Sequence, residues 1–174
     1  MDTDRLLVQE VLVPHLDAAY NLARWLVNGD KGAQEIVSES YVRALKGLRT
    51  RGTNPRAWLL TIVRNTAYSW LKKHPTDVNA APIETAAPAQ FTQSSSLESE
   101  SEDQGRVVWQ ALKTMPIELR EVLLLYEFEH WSYNELAANL KLPVDLVTAR
   151  LTSARHRLRR TITEAQERGL LDEL

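Results

Sequence analysis

Apolar residues recur every three or four positions along most of the chain, which is the period of an amphipathic α-helix. The pattern predicts helices over the following stretches: Asp4–Val27, 33–48, Pro55 to about Lys73, and several shorter pieces within 105–162. Pro14 should divide the first stretch into two helices, because proline lacks the amide hydrogen that a helix interior needs. The polar and glycine-containing run "NGDKG" at 28–32 predicts a turn.

Residues 74–104 interrupt this periodic pattern. They contain three prolines, many Ala and Ser residues, six acids and no Lys or Arg. Such a segment cannot bury enough apolar surface to offset the entropy lost on ordering. The sequence therefore predicts an all-α protein of two small helical domains, residues 1–73 and 105–174, joined by a flexible acidic linker at 74–104.

The net charge of −2 hides an uneven distribution. Residues 1–73 hold 11 Lys and Arg against 7 Asp and Glu, and residues 105–174 hold 10 of each. Within the second part, residues 141–160 carry six cations and one acid, Asp145. Two basic surfaces are therefore expected on either side of the acidic segment, which is a pattern suited to a polyanionic partner.

Several classes of function are disfavoured by composition. The chain has no cysteine, which excludes disulfides, thiol catalysis and Cys-based zinc sites. No run of about 18 apolar residues predicts a membrane span, and the N-terminus lacks the features of a signal peptide, so we expect a cytoplasmic protein without membrane insertion. The four histidines are scattered and no phosphate-binding glycine loop is present, so we expect neither an enzyme nor a cofactor.

A helix-turn-helix pattern lies in the second predicted domain. Ser132 and Glu135 have the spacing of a capping box at the start of a short helix. A three-residue turn at 141–143 leads into a longer helix rich in arginine, as in DNA-binding helix pairs. Many helix pairs with a short turn never meet DNA, so this motif alone leaves the function open.

The stretch "TIVRNTAYSWLKK", residues 61–73, mixes cations, an amide and an aromatic ring on one helical face. Such a face suits unpaired bases, because aromatic rings stack on bases while cations hold phosphates. The alternative is a solvated face with a half-buried tyrosine. Trp70 belongs to the apolar face and is expected in the core together with Trp25 and Trp58, whereas Tyr68 fits either role.

Taken together, the chain resembles the extracytoplasmic-function (ECF) group of the sigma-70 family. "HLDAAYNLARWLV", "AQEIVSESYVRAL" and "RGTNPRAWLLTIVRNTAYSWLKK" resemble region 2 of that family, and "ALKTMPIELREVLLLYEFEHWSYNELAANLKLPVDLVTARLTSARHRLRR" resembles region 4. The resemblance implies a factor that binds core RNA polymerase and directs initiation at specific promoters. It also implies an anti-sigma protein as a further partner.

The resemblance assigns three groups of residues. Docking on the coiled coil of the polymerase β′ subunit would use one helix of region 2, with these residues: Ile36, Glu39, Tyr41, Val42 and Arg43. Opening of the −10 element would use the following: Arg49, Arg51, Arg56, Arg64, Asn65, Tyr68, Ser69, Lys72 and Lys73. Region 4 would lie under the β flap and read the −35 element with these residues: Thr148, Ala149, Arg150, Thr152, Ser153, Arg155 and Arg157.

The chain also departs from the family pattern. Glu35 and Ser38 replace the usual Asp and Gln in region 2, and Lys141 replaces the usual Gly in the turn of region 4. Where the family reads bases, this chain has Thr148, Ala149, Thr152 and Ser153, and none of these can make a bidentate arginine–guanine contact. Reading of the −35 element is therefore expected to be unusual, loose or based on DNA shape.

Two other hypotheses remain open at this stage. A sigma mimic would capture an anti-sigma factor without initiating transcription, and it would tolerate erosion of the DNA-reading helix. A dimeric helix-turn-helix regulator would leave the basic first domain unexplained, and no heptad seam for dimerisation is visible.

Overall fold

A computed structural model describes residues 8–50, 52–75 and 101–168 of the chain, except for the side chains of Arg49 and residues 101–104. Within these ranges the structure is helical, which confirms the all-α prediction, and no strand is present. The seven main helices are α1 (Leu16–Val27), α2 (Asp30–Gly47), α3 (Pro55–Lys73), α4 (Ser101–Thr114), α5 (Ile117–Glu127), α6 (Tyr133–Leu140) and α7 (Val144–Glu167). The predicted linker lies mostly outside the described residues, although α4 begins at Ser101, inside its predicted range.

Pro14 divides the first predicted helix as expected. Residues 8–11 are helical, Val13–His15 form a short 3-10 turn, and α1 starts only at Leu16. The predicted turn at 28–32 is shorter than expected, because Asn28 takes the left-handed conformation with φ of 56° and α2 begins at Asp30. Asp30 also binds Arg24 at 2.7 Å, which ties α2 back to α1.

The described chain forms two compact units. The first contains α1, α2 and α3, which pack pairwise, and also includes residues 135–142. The core of α1–α3 consists of side chains at most 5% exposed, among them Leu22, Leu26, Ile36, Leu59, Leu60 and Val63. Trp25, Trp58 and Trp70 were expected in this core but are only half-buried, since they lie at the edges of the helix contacts.

One of these tryptophans joins the start of α2 to the end of α3. A Cβ atom on Gly32 would lie 2.9 Å from Cη2 of Trp70, so the two helices approach closely only because this position has no side chain. The indole Nε1 of Trp70 donates a hydrogen bond of 2.7 Å to Glu35, and His74 stacks on the indole with ring centroids 4.3 Å apart. We call Glu35, Trp70 and His74 the indole clamp.

In the second unit, α7 packs against both α4 and α5. Its core includes Leu112, Val122, Leu125, Val147, Leu151 and Ala154, none more than 2% exposed. Trp131 is 5% exposed and belongs to this unit, although no pattern in the sequence marked it as a core residue. Among the described residues no helix is long and apolar enough to cross a membrane.

Candidate nucleic-acid and polymerase interfaces

The outer face of α3 carries the predicted single-strand-binding residues. Asn54 caps the helix by accepting a 3.0 Å hydrogen bond from the amide of Ala57, and Pro55 occupies the first turn, where its missing amide hydrogen is not needed. Asn65, Lys72 and Lys73 are exposed, and Arg56 is exposed near the start of the helix. The spacing of α3 distributes these groups over about 24 Å from the first turn to the last.

Arg64, Asn65 and Tyr68 form an ordered cluster on this face. The Arg64 guanidinium lies 4.2 Å from the centre of the Tyr68 ring, and it donates a hydrogen bond of 3.1 Å to the Asn65 side chain. Such a cation–π contact contributes about 0.5–1 kcal/mol at an exposed site, whereas stacking of a base contributes about 1–3 kcal/mol. A base can therefore displace Arg64 from the ring at a small cost.

Ser69 and the loop before α3 are arranged differently from the cluster. The Ser69 hydroxyl donates to the main-chain carbonyl of Asn65 at 3.1 Å, so its hydrogen is already used within the helix. The loop turns at Gly52, whose φ of 66° favours glycine. The side chain of Arg49 and all of Arg51 lie outside the described residues, so their predicted role in this loop stays a prediction.

The predicted polymerase-docking residues divide into a buried and an exposed set. Ile36 is fully buried in the core of the first unit, which leaves it no surface for direct contact with a partner. Val42 is 52% exposed, and the exposed carboxylate of Glu39 pairs with Arg43 one turn later. The Tyr41 hydroxyl donates to the carbonyl of Leu12 at 2.8 Å, and burial, with a smaller contribution from the charge of Asp17, raises the pKa of Tyr41.

The structure adds apolar residues to this surface that the sequence reasoning missed. Leu45 was assigned to the buried side of α2 but is 48% exposed, and it lies three residues after Val42 on the same helix. Val13 and Leu16 are 55% and 44% exposed, close along the chain to the Leu12 carbonyl that Tyr41 binds. The signal for them was weak, because isolated exposed aliphatic residues are common on any protein surface.

Helix α7 presents the predicted DNA-reading residues at its N-terminal half. Thr148, Ala149, Thr152 and Ser153 are all exposed, and so is Arg157 further along. Two of the predicted arginines are instead held within the second unit. Arg150 lies 3.5 Å from the carboxylate of Glu121, which is fully buried, and the Arg150 side chain is only 20% exposed.

Arg155 is the second arginine held in place. Its guanidinium lies 4.8 Å from the centre of the Tyr126 ring and donates to Glu127 at 3.2 Å. The rings of Tyr126 and Tyr133 are themselves 5.5 Å apart. Hydrogen bonding with Tyr126, followed by weaker contributions from Tyr133 and Glu127, outweighs desolvation and raises the pKa of Arg155. These contacts give Arg150 and Arg155 a role in orienting α7, while their contact with DNA stays a prediction.

No group of three or more His, Asp and Glu side chains within the described ranges is placed to hold a metal ion.

Two family models match the chain in succession. The Sigma-70 region 2 model matches residues 8–75, and the Sigma-70 region 4 model matches residues 105–158. The ECF RNA polymerase sigma factor SigE of Mycolicibacterium smegmatis is 25% identical over 159 residues, which are 86% of this chain and 59% of that protein. The chain thus spans somewhat over half the length of that relative.

Shorter relatives match over more of their length. RNA polymerase sigma factor YlaC of Bacillus subtilis is 29% identical over 141 residues, which are 78% of this chain and 80% of that protein. The ECF RNA polymerase sigma-E factor of Escherichia coli is 26% identical over 144 residues, or 77% of this chain and 74% of that protein. The sigma factor RpoE, solved in complex with the anti-sigma factor NepR from Bartonella quintana, has a TM-score of 0.70 at 24% identity and covers 89% of this chain and 96% of its own. At that identity the likeness shows a shared fold.

Proposed function

Because the chain belongs to the ECF group of the sigma-70 family, we propose that it binds core RNA polymerase and directs initiation at specific promoters. The observation that carries this proposal is the pair of family matches, region 2 at 8–75 and region 4 at 105–158, in the order that a sigma factor requires. The RNA-forming chemistry belongs to the polymerase, and this chain acts as a binding protein in the cytoplasm without a cofactor.

The exposed part of α2 is the proposed docking surface for the coiled coil of the β′ subunit. Val42 and Leu45 supply exposed apolar area, and Glu39 and Arg43 supply a charged pair beside it. Burial of such apolar side chains on binding is worth about 1.5–3 kcal/mol each when complete. Ile36 acts from within the core, where it holds the helix in place for the residues that touch the partner.

The outer face of α3 is the proposed site of promoter opening. Asn65 is exposed and offers amide donors and a carbonyl acceptor to the edge of an unpaired base. The Tyr68 ring becomes available for stacking when Arg64 moves onto a phosphate, and Lys72 and Lys73 hold the strand further along. A few captured bases offset the roughly 1.4 kcal/mol lost at each opened stacking step.

Helix α7 is the proposed reader of the upstream promoter element, under the β flap of the polymerase. Arg157 is exposed and available for phosphates, while Thr148, Ala149, Thr152 and Ser153 face outward for base contacts. An anti-sigma protein is a proposed further partner. This role is supported by the fold that the chain shares with RpoE, which was solved bound to the anti-sigma factor NepR.

Reconstituted transcription tests the whole proposal. Purified chain added to core polymerase should produce run-off transcripts with defined start sites from a promoter library. Val42→Glu should abolish binding to core polymerase, whereas Gln34→Glu, which adds the same charge at another exposed position of α2, should not. Asn65→Ala should retain binding but reduce permanganate reactivity of thymines in the opened region.

A sigma mimic is the second candidate, and the neutral reading face of α7 favours it. A mimic would bind an anti-sigma protein with its helical units intact and would give no specific transcript with core polymerase. Specific start sites in the reconstituted system would therefore exclude the mimic, and their absence would overturn the proposed function.

A further inference from the structure

The N-terminal half of α7 has few free hydrogen-bond donors for base edges, and this inference rests on the proposed function above. The Thr148 hydroxyl donates to the Val144 carbonyl at 3.0 Å, and the Thr152 hydroxyl donates to the Thr148 carbonyl at 2.9 Å. Both hydroxyl hydrogens are thereby used inside the helix. What these two exposed side chains still offer a partner is a methyl group and acceptor lone pairs.

The other side chains near the helix start do not replace those donors. Ala149 is exposed and carries only a methyl group, and an ionised Asp145 can only accept hydrogen bonds. Arg150 is held by the buried carboxylate of Glu121 at 3.5 Å. Arg157 lies about 20 Å beyond the first residue of the helix, too far for the base edges that the N-terminal residues of a reading helix contact. Ser153 retains a hydroxyl that can bond either kind of base edge.

Guanine presents only acceptors in the major groove, whereas thymine presents a methyl group beside its acceptor. A reading surface built from the methyl groups of two threonines and an alanine therefore fits thymine and has little to offer guanine. We propose that Thr148, Ala149 and Thr152 recognise the upstream promoter element through apolar contacts with thymine C5-methyl groups, so that α7 selects a thymine-containing site without an arginine–guanine contact.

The test uses the holoenzyme reconstituted from core polymerase and the full chain. The preferred upstream element is first selected from templates randomised in that region. Each thymine of the selected element is then replaced by deoxyuridine, which removes only the methyl group, and each guanine by 7-deazaguanine, which removes only the N7 acceptor. We expect affinity to fall about fourfold for each contacted methyl, the factor for one buried methyl-sized group, and to change little with 7-deazaguanine.

Protein variants locate the contact. Thr152→Ser removes the methyl and keeps the hydroxyl, so it should weaken binding to the thymine template and abolish the difference between thymine and deoxyuridine at one position. Thr161→Ser is the matched control, because the Thr161 hydroxyl makes the same bond to a main-chain carbonyl, that of Arg157 at 3.1 Å, further along α7. The control should leave the thymine–deoxyuridine difference unchanged.

The outcomes separate this inference from the proposed function. Equal binding of thymine and deoxyuridine templates, or a large loss with 7-deazaguanine, would overturn methyl recognition while specific transcription left the sigma-factor role standing. Specific start sites without any enriched upstream sequence would likewise overturn it. A complete lack of specific transcripts would instead overturn the proposed function.

Discussion

The ion pair between Glu121 and Arg150 allows a quantitative test of what Arg150 does. We expect Arg150→Met to lower the free energy of unfolding of the second unit by about 3 kcal/mol. At the 3.5 Å separation of the two charges, the gross attraction is about 5 kcal/mol for an effective dielectric constant of about 20. The 20% exposure of Arg150 lowers the net value, and the substitution leaves a fully buried carboxylate without this cation.

The reverse substitution should cost less. Glu121→Gln leaves Arg150 at the edge of the unit, where water can hydrate the guanidinium, so we expect a loss of about 1 kcal/mol. Replacing both residues at once, with Leu at 121 and Met at 150, should bring stability back to within about 1 kcal/mol of the original, because apolar substitution of a buried pair is often neutral.

Amide hydrogen exchange measured by mass spectrometry reports this free energy for peptides of α5 and α7 separately from the first unit. Arg157→Met is the control, since Arg157 is exposed on the same helix and should change stability by less than about 0.5 kcal/mol. Unchanged exchange in Arg150→Met, together with a promoter-binding salt slope lowered by about 1, would refute the structural role and assign Arg150 to a phosphate.

Three further predictions concern the backbone and one buried hydroxyl. Gly32→Ala should lower the melting temperature through a clash with Trp70 worth about 1–3 kcal/mol, whereas Gly105→Ala, which meets nothing within 4 Å, should raise it by the better helix propensity of alanine. Lys141→Gly should stabilise the fold by about 1 kcal/mol in urea unfolding, because Lys141 has a φ of 55° that glycine adopts without strain; no gain would contradict the strain. Tyr41 has a raised pKa in the folded state, so its contribution to stability is complete below the unfolded pKa of about 10 and declines as the pH rises above it. Tyr41→Phe should therefore flatten the alkaline part of the stability–pH curve, and an unaltered slope would disprove the assignment.

The helices and their order were predictable from the sequence because their signals are local. The apolar period, the break at Pro14 and the start at Pro55 all act within one or two turns of helix, and the structure confirms them. The start of α2 at Asp30 was missed, because it depends on a left-handed Asn28. The half-buried positions of the three tryptophans were also missed, since hydrophobicity predicts burial but not the depth of burial.

The candidate site was less predictable, because pairing between distant residues decides which side chains remain available. Spacing along α7 identified Thr148, Ala149 and Thr152 as outward-facing, and they are exposed. The same spacing could not reveal that Arg150 is held by a carboxylate on α5. Leu45 failed for a related reason, since the width of the buried face of α2 depends on what packs against it.

The indole clamp offers a reason for the glutamate at position 35, where related sigma factors usually carry the shorter aspartate. An aspartate there would end about 1.5 Å further from the indole nitrogen, beyond the 2.7 Å bond that Glu35 makes. Amino-acid choice at 35 and 70 should therefore be correlated during evolution, with the longer acid kept wherever tryptophan occupies the other position. Lineages that exchange the indole for an aliphatic residue would be released from this constraint and free to return to aspartate.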